Sequence, residues 1–255
     1  MSSLVCSSVF ITGSNRGLGL GFVKHLLNLP VVPKHIFATC RSLKAESALQ
    51  LRQLGEKHSN LHLMELDVSD FTSSQLHDVV EKVEALLEDS GLNLLINNAG
   101  IFFREAFNDV TVESMKSTYE VNAIAPLMIT KAFRPLLKRA ALAKKPSSKP
   151  QAAIINISSS LGSFHVDRGT RSNFIPYRTS KAALNMVTKS LSVELIEDDI
   201  LAVAVHPGRV KTDMGDQHAT ITIDDSISSM LKLLESLDKS KSGCFLNYDG
   251  SSIPW

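Results

Sequence analysis

The chain has 255 residues and an almost even charge balance, with 27 Lys and Arg against 26 Asp and Glu and a formal net charge of +1. This length predicts one α/β domain over residues 1–255, and the even charge argues against binding to nucleic acid or to an anionic membrane. No apolar run reaches the roughly 18 residues of a membrane-spanning helix, no cleavable signal precedes the first strand, and the three cysteines lack metal-ligand spacing. We therefore expect a soluble cytoplasmic protein without a metal site.

A glycine-rich turn follows the first apolar strand. Gly13 permits a tight turn, Gly17 lets a phosphate approach the backbone, and Gly19 allows close packing of the helix predicted over residues 17–29. The start of that helix directs free N–H groups at an anion. The spacing is T-G-x-x-x-G-x-G and not G-x-G-x-x-G, because Phe22 stands where the third glycine would be. By itself such a turn could be only a tight loop.

Arg41 follows the second predicted strand, residues 35–39. Folds that bind NAD usually place an acidic residue here for the ribose 2′-hydroxyl, whereas an arginine can pair with a 2′-phosphate through its charged fork. Arg16, inside the glycine turn, is a second candidate for the same phosphate. The alternative is two solvated arginines. The sequence therefore favours NADP over NAD.

Asp67 and Val68 follow the third predicted strand, residues 61–66, which lies between helices predicted over residues 44–58 and 69–89. The Asp67 carboxylate could accept a hydrogen bond from an adenine amino group. Alternatively, it could cap a turn.

Asn97, Ala99 and Gly100 follow the fourth predicted strand, residues 92–96. They could be ordinary turn residues. In a parallel sheet, however, ligands bind at the carboxyl ends of the strands, so these residues are candidates for a binding site.

Asn122 lies inside a long helical region predicted over residues 112–143. An asparagine is unfavourable in mid-helix unless its side chain makes a useful hydrogen bond. Pro126 stands four residues further on and predicts a local distortion of the helix.

A serine cluster, residues 158–160, follows the fifth predicted strand, residues 152–157, and Tyr177 and Lys181 open the helix after it. A spacing of four places both side chains on one helix face. A phenol has a pKa of about 10, and a nearby ammonium group lowers that pKa, so the tyrosine becomes a usable acid–base group. A serine hydroxyl could polarise the substrate oxygen. Alone, Tyr-x-x-x-Lys usually marks a surface helix.

The last two predicted strands, residues 201–205 and 244–248, complete the pattern, and Pro207 and Gly208 follow the first of them. Strands that are apolar on both faces alternate with helices along the whole chain. This alternation predicts a Rossmann-type, doubly wound parallel sheet of about seven strands with helices on both faces.

These motifs occur in the order found in the classical short-chain dehydrogenase/reductase family, which the chain resembles over nearly its whole length. The resemblance implies that Tyr177 is the general acid in reduction and that Lys181 depresses its pKa and holds the nicotinamide ribose. Asn122 would keep a water in the proton relay. Ser159 would bind the substrate oxygen, because the family motif Ser-x-x-Gly ends here at Gly162.

The resemblance also implies an NADPH or NADP cofactor and a homodimer or homotetramer built on two long helices. Residues 207–212 would meet the nicotinamide carboxamide, with Thr212 as the foremost side chain. The positions at which we expect the cofactor to bind are Gly13, Asn15, Arg16, Gly17, Leu18, Gly19, Arg41, Asp67, Val68, Asn97, Ala99, Gly100, Tyr177, Lys181, Pro207, Gly208, Val210 and Thr212.

Within the family, the Asn-Tyr-Asp-Gly stretch at residues 247–250 and the Pro-Trp end look like the sniffer and C-factor group of NADPH-dependent carbonyl reductases. One departure is the length of chain between Ser159 and Tyr177, because the 17 residues there exceed the family's usual gap. The extra residues would lie beside the substrate, where His165, Arg168 and Arg171 could contact a polar substrate or simply be solvated.

The expected function is therefore the NADPH-dependent reduction of a small ketone, aldehyde or quinone. One alternative is a dehydrogenase that oxidises an alcohol or hydroxysteroid, which Arg41 disfavours because cellular NADP pools usually support reduction. Another is a non-catalytic NADP(H)-binding scaffold for redox sensing or signalling. The complete set of Asn122, Ser159, Tyr177 and Lys181 argues against that scaffold.

Overall fold

Seven parallel strands form one sheet in the computed structural model, which describes residues 6–72, 74–143, 150–165, 174–212, 214–215 and 219–255. The strands are Ser8–Ile11 (β1), His35–Cys40 (β2), Leu61–Glu65 (β3), Leu94–Asn97 (β4), Ala152–Ile157 (β5), Ile200–His206 (β6) and Phe245–Asn247 (β7). Their order in the sheet is β3-β2-β1-β4-β5-β6-β7. The order reverses between β1 and β4, and this confirms the predicted doubly wound sheet.

Helices connect consecutive strands. The main helices are Gly17–Leu27 (α1), Leu49–Lys57 (α2), Gln75–Leu87 (α3), Val112–Tyr119 (α4), Ala125–Leu142 (α5), Ile175–Glu194 (α6) and Ile223–Ser236 (α7). Within the described ranges, no helix is both long enough and apolar enough to traverse a lipid bilayer.

Two hydrophobic layers enclose the sheet. Alternate strand residues point to opposite faces, so Val9 and Ile11 pack towards α1 and α7 while Phe10 packs towards α3 and α5. The Phe10 and Phe133 rings meet with centroids 4.3 Å apart in the second layer. Burial on both faces explains why the strands are apolar without a polar alternation.

Helix α3 begins six residues later than the sequence predicts. Asp67 Oδ1 accepts hydrogen bonds from the Ser69 backbone N–H at 3.0 Å and from its hydroxyl at 2.7 Å. Asp70 Oδ1 accepts from the Thr72 N–H in the same way, also at 3.0 Å. Such side-chain bonds compete with helical hydrogen bonds, so this segment forms turns before α3 starts.

The long helix predicted over residues 112–143 is interrupted by one π-helical turn, Glu120–Ile124, between α4 and α5. Pro126 has no N–H to donate to the carbonyl group of Asn122, the α-helical acceptor four residues back. The structure therefore confirms the distortion predicted at Asn122. Turns of this kind often occur at functional sites.

A buried carboxylate joins α5 to the turn after α6. Asp198 is only 3% exposed and binds Arg134 Nε and Lys138 Nζ, each at 2.6 Å. The hydrogen bonds from Lys138 and Arg134 lower the pKa of this carboxyl group. Its contribution to stability is therefore present above the unfolded carboxyl pKa of about 4 and is lost as the pH falls through the lower folded pKa.

We expect Asp198→Asn to lower the free energy of unfolding by about 2 kcal/mol at pH 7, because two cations lose their buried partner. Urea denaturation should show that the free energies of unfolding of the variant and the wild type converge below about pH 4. Asp199→Asn is the matched control, since the Asp199–Lys239 pair joins two well-exposed side chains. An equal loss in both variants would contradict a special role for Asp198.

Candidate active site

A cavity of about 590 Å³ opens across the carboxyl end of the sheet, where the strand order reverses. This volume suits a small-molecule or cofactor site. The predicted residues that line it are Gly13, Asn15, Arg16, Gly17, Leu18, Arg41, Asp67, Val68, Ala99, Gly100, Ser159, Tyr177, Lys181, Pro207, Gly208, Val210 and Thr212.

The glycine turn has the geometry of an anion cradle. Gly13 and Gly17 adopt positive φ angles of 67° and 54°, which favour glycine. Helix α1 starts at Gly17 without a side-chain cap from Arg16 and without an acidic residue in its first turn. Its first N–H groups are thus left for a ligand in the cavity, as a phosphate site requires.

Gly19 has a packing role and does not line the cavity. A Cβ atom at this position would lie 2.1 Å from the carbonyl oxygen of Gly13. The close approach of α1 to the turn therefore depends on this glycine. The sequence predicted this packing. The position of Gly19 does not support direct contact with a cofactor.

Asn97, which we expected to bind the cofactor, does not line the cavity, whereas its neighbour Asn98 does. Asn97 is 2% exposed and its Nδ2 donates to Asn156 Oδ1 at 2.8 Å. Because side chains alternate along β4, Asn97 shares the face of Leu95 that packs against α5. Asn98 lines the cavity and donates through Nδ2 to the carbonyl oxygens of Thr12 and Gly13, at 2.9 and 3.1 Å.

Thr12 is a residue that sequence reasoning missed. Its Oγ1 accepts the backbone N–H groups of Asn98 and Ala99, both at 3.0 Å. The turn after β1 is thereby fixed against the turn after β4. The available signal was its place as the first residue of the T-G-x-x-x-G-x-G motif.

Arg16 and Arg41 are exposed residues that line the cavity, as do Ser42 and Ser47. Asn15 Nδ2 donates to Ser47 Oγ at 2.9 Å and so ties the glycine turn to this region. Two guanidinium groups with neighbouring hydroxyl groups suit a phosphate monoester.

Asp67 has the turn-capping role considered for it. Its Oδ1 caps the turn at Ser69, which confirms the structural alternative. The residue also lines the cavity, so contact with an adenine remains a prediction.

The cavity brings Ser159, Tyr177 and Lys181 together. Ser159 follows β5, and its side chain is hydrogen-bonded to the hydroxyl group of Tyr177 on α6. Lys181 lies one turn further along α6, is 4% exposed, and donates through Nζ to the Ile157 carbonyl oxygen at 2.7 Å. Its Nζ is 5.6 Å from the centroid of the Tyr177 ring.

Burial determines the ionisation of this pair. It raises the pKa of Tyr177 to about 12, although the hydrogen bond with Ser159 acts in the opposite direction. It lowers the pKa of Lys181 to about 7. Burial is therefore the largest influence on the pKa of Tyr177 in this structure, and the depression of that pKa by Lys181 stays a prediction. At neutral pH Tyr177 is a neutral phenol that can donate a proton.

Asn122 does not line the cavity, but its side chain makes hydrogen bonds to segments that form the site. Its Oδ1 accepts from the Ile101 N–H at 2.9 Å, and its Nδ2 donates to the Ile101 carbonyl oxygen at 2.9 Å and to Ser180 Oγ at 3.0 Å. The side chain therefore joins the π-helical turn to the segment after β4 and to α6. Its role in a water relay stays a prediction.

Asn185 is a second residue that sequence reasoning missed. It accepts from Ser158 Oγ at 2.6 Å and donates to the Gly162 carbonyl oxygen at 3.3 Å. It thereby holds both ends of the turn that carries Ser159. The signal was its position four residues after Lys181, on the helix face of Tyr177.

Two described residues of the long segment before Tyr177 differ in their relation to the cavity, because Phe174 lines it and His165 does not. His165 is exposed and does not line the cavity. Arg168 and Arg171 lie outside the described residues. Among those that are described, no group of three or more His, Cys, Asp or Glu could hold a metal ion.

Comparisons with known proteins agree with this geometry. A family model described as short chain dehydrogenase matches residues 7–220. The NADPH-bound carbonyl reductase from chicken fatty liver is 43% identical, with a TM-score of 0.92 over 99% of this chain and 100% of that chain. The carbonyl reductase Sniffer of Drosophila melanogaster is also 43% identical, with a TM-score of 0.92 over 98% of this chain and 100% of that chain.

A third similar protein is the C-signal of Myxococcus xanthus. It is 36% identical over 165 residues, which cover 64% of this chain and 93% of that protein. Together the three similarities confirm the narrower resemblance found in residues 247–250 and the chain end.

Proposed function

Because the chain belongs to the short-chain dehydrogenase family, we propose that it is an NADPH-dependent carbonyl reductase. Its substrate would be a small ketone, aldehyde or quinone. The observation that carries this proposal is the hydrogen-bonded pair of Ser159 and Tyr177 in the cavity that also contains the glycine turn. NADPH-dependent carbonyl reduction needs a site for the phosphates of the cofactor and a proton donor for the substrate, and this cavity contains candidates for both.

The residues present fit NADPH. The uncapped start of α1 suits the pyrophosphate, and Arg16 and Arg41 suit the 2′-phosphate. When bound, NADPH supplies the hydride for the reduction. Lys181 would hold the ribose hydroxyls, and residues 207–212 would hold the carboxamide.

Ser159 and Tyr177 would act on the substrate carbonyl group. Both hydroxyls can donate to its oxygen, which fixes the carbonyl carbon and stabilises the negative charge that develops on the oxygen. Tyr177 then gives its proton to that oxygen, which leaves an alcohol. Lys181 stabilises the phenolate that remains until a proton returns from solvent.

The protonation state of Tyr177 suits the proposed reduction. Reduction needs the neutral phenol, and the raised pKa keeps Tyr177 in that form at neutral pH. In the oxidative alternative the same residue would act as the base, because each catalysed step can run in both directions.

We also propose that the protein forms a homodimer or homotetramer through α5 and α6. Both helices expose large apolar side chains, which are costly to leave in water and are typical of a subunit interface. They are Leu127, Met128, Leu142, Met186 and Val193. Light scattering would give the number of chains, and a monomeric mass would contradict the proposal.

The proposed activity can be tested by following NADPH consumption with quinones, aldehydes and ketones, and by identifying the alcohols formed. Tight NADPH binding without reduction of any compound would favour the scaffold alternative. Oxidation of alcohols with NADP at a higher rate would favour the dehydrogenase alternative.

A further inference from the structure

Two phenyl rings form an aromatic wall beside Tyr177, which we define as Phe102 and Phe174. The Phe102 ring meets the Tyr177 ring edge-on, with centroids 4.9 Å apart. The Phe174 ring lies 5.4 Å from that of Phe102. Both rings line the cavity. The wall therefore offers a planar substrate an apolar surface next to the proton donor.

Arg104 lies over this wall. Its guanidinium carbon is 5.9 Å from the centroid of Phe102 and 5.8 Å from that of Phe174. The side chain lines the cavity, and in the described part of the chain no carboxylate pairs with it. The neighbouring Glu105 accepts a hydrogen bond from Ser114 Oγ at 2.7 Å. Contact with the two rings orients the guanidinium and leaves N–H groups for an acceptor in the cavity.

The segment that carries Arg104 is held at both ends. Asn122 makes two hydrogen bonds with the backbone of Ile101, and Glu105 pairs with Phe174 in an isolated β-bridge. Ser114 connects Glu105 to the first turn of α4. The backbone that carries Arg104 is thus held in place, and the exposed Arg104 side chain lies over Phe102, the ring that contacts Tyr177.

We propose that this protein prefers a planar aromatic carbonyl compound that carries a carboxylate group. The aromatic ring packs on Phe102 and Phe174, the carboxylate accepts hydrogen bonds from Arg104, and the carbonyl group reaches Ser159 and Tyr177. Arginine matches a carboxylate through two parallel hydrogen bonds, which a neutral ester cannot reproduce. This proposal rests on the proposed function, because it places the reacting carbonyl at Tyr177.

The test compares 4-carboxybenzaldehyde with its methyl ester, which has the same ring and aldehyde but no charge. We expect Arg104→Met to lower kcat/KM for the acid about tenfold, chiefly through KM, and to leave that for the ester nearly unchanged. Arg104→Lys should retain part of the preference, because it keeps the charge without the planar fork. A loss shared equally by acid and ester, or no loss, would overturn the proposal.

Lys34→Met is the matched control, because it removes one exposed positive charge at the amino end of β2, at the opposite edge of the sheet. It should leave both kcat/KM values unchanged. An equal effect from Lys34→Met would mean that net charge, and not Arg104, selects the acid.

Binding measurements separate this proposal from the proposed function. Calorimetry with NADPH present gives the Kd of the acid and of the ester for Tyr177→Phe and for Tyr177→Phe combined with Arg104→Met. Arg104-dependent binding of the acid without turnover in the wild type would support the substrate class and contradict the reductase. Turnover of both aldehydes with no Arg104-dependent difference in Kd would support the reductase and contradict the substrate class.

Discussion

Tyr177→Phe should lower kcat for NADPH-dependent carbonyl reduction by about 10³-fold, while the Kd for NADPH stays nearly unchanged. The substitution removes the only atom that can give the carbonyl oxygen a proton from this position. The phenylalanine ring keeps the edge-on contact with Phe102, so the cavity wall should stay in place. Stopped-flow kinetics and NADPH fluorescence titration would measure the two quantities.

The matched control for this prediction is Tyr119→Phe, which removes a phenol hydroxyl at the end of α4, away from the cavity lining. It should retain the wild-type kcat. Full turnover by Tyr177→Phe would show that another group protonates the substrate. That result would remove the basis of the proposed mechanism.

The pH profile provides a second measure of the same group. Reduction requires protonated Tyr177, and its pKa is raised to about 12. We therefore expect no loss of rate from deprotonation of Tyr177 between neutral pH and about pH 10, the usual pKa of a phenol. A fall in kcat near pH 7 would instead report the loss of the Lys181 charge, because the pKa of Lys181 is lowered to about 7. Ultraviolet difference titration against Tyr177→Phe would therefore measure the phenol directly, and ionisation below about pH 10 would contradict the raised pKa.

Arg41→Asp should lower kcat/KM for NADPH about 100-fold and leave kcat/KM for NADH equal or higher. The change removes a charged hydrogen-bond donor from the 2′-phosphate and places a carboxylate where that phosphate would bind. NADH lacks the phosphate, and its ribose hydroxyls can donate to the new carboxylate. Steady-state kinetics with both coenzymes would give the ratio.

Lys44→Asp controls for the change of net charge, since Lys44 is exposed nearby and does not line the cavity. Its selectivity should match that of the wild type. Unchanged selectivity in Arg41→Asp would mean that Arg16, with the Ser42 and Ser47 hydroxyls, recognises the phosphate instead.

The strands were predictable because parallel strands buried on both faces are short apolar runs that end in turn residues. β5 spans its predicted apolar run, residues 152–157, and a π-helical turn occurs where Asn122 and Pro126 predicted a local distortion. The start of α3 was not predictable from hydrophobic periodicity, because Asp67 and Asp70 bind the local backbone N–H groups and delay the helix. Side-chain competition of this kind leaves no periodic signal.

The site was predictable where a motif fixes a backbone shape or a helix face, as at Gly17, Tyr177 and Lys181. The site was less predictable where the direction of one side chain decides whether a residue lines the cavity, as at Asn97 and Asn98. The ionisation of Tyr177 also depends on tertiary burial. A spacing of four places an ammonium group nearby, but it does not show how completely water is excluded.

The links around Ser159 have a consequence for how this protein can diversify. Asn185 and the close approach of Gly162 to Lys181 join the serine turn to α6, so these two parts move together. The side chains that face the substrate are carried by other positions, residues 101–105 and Phe174, the residue before α6, and they do not take part in these links. Evolution or engineering can therefore exchange the residues that select a substrate and leave the proton-transfer geometry intact.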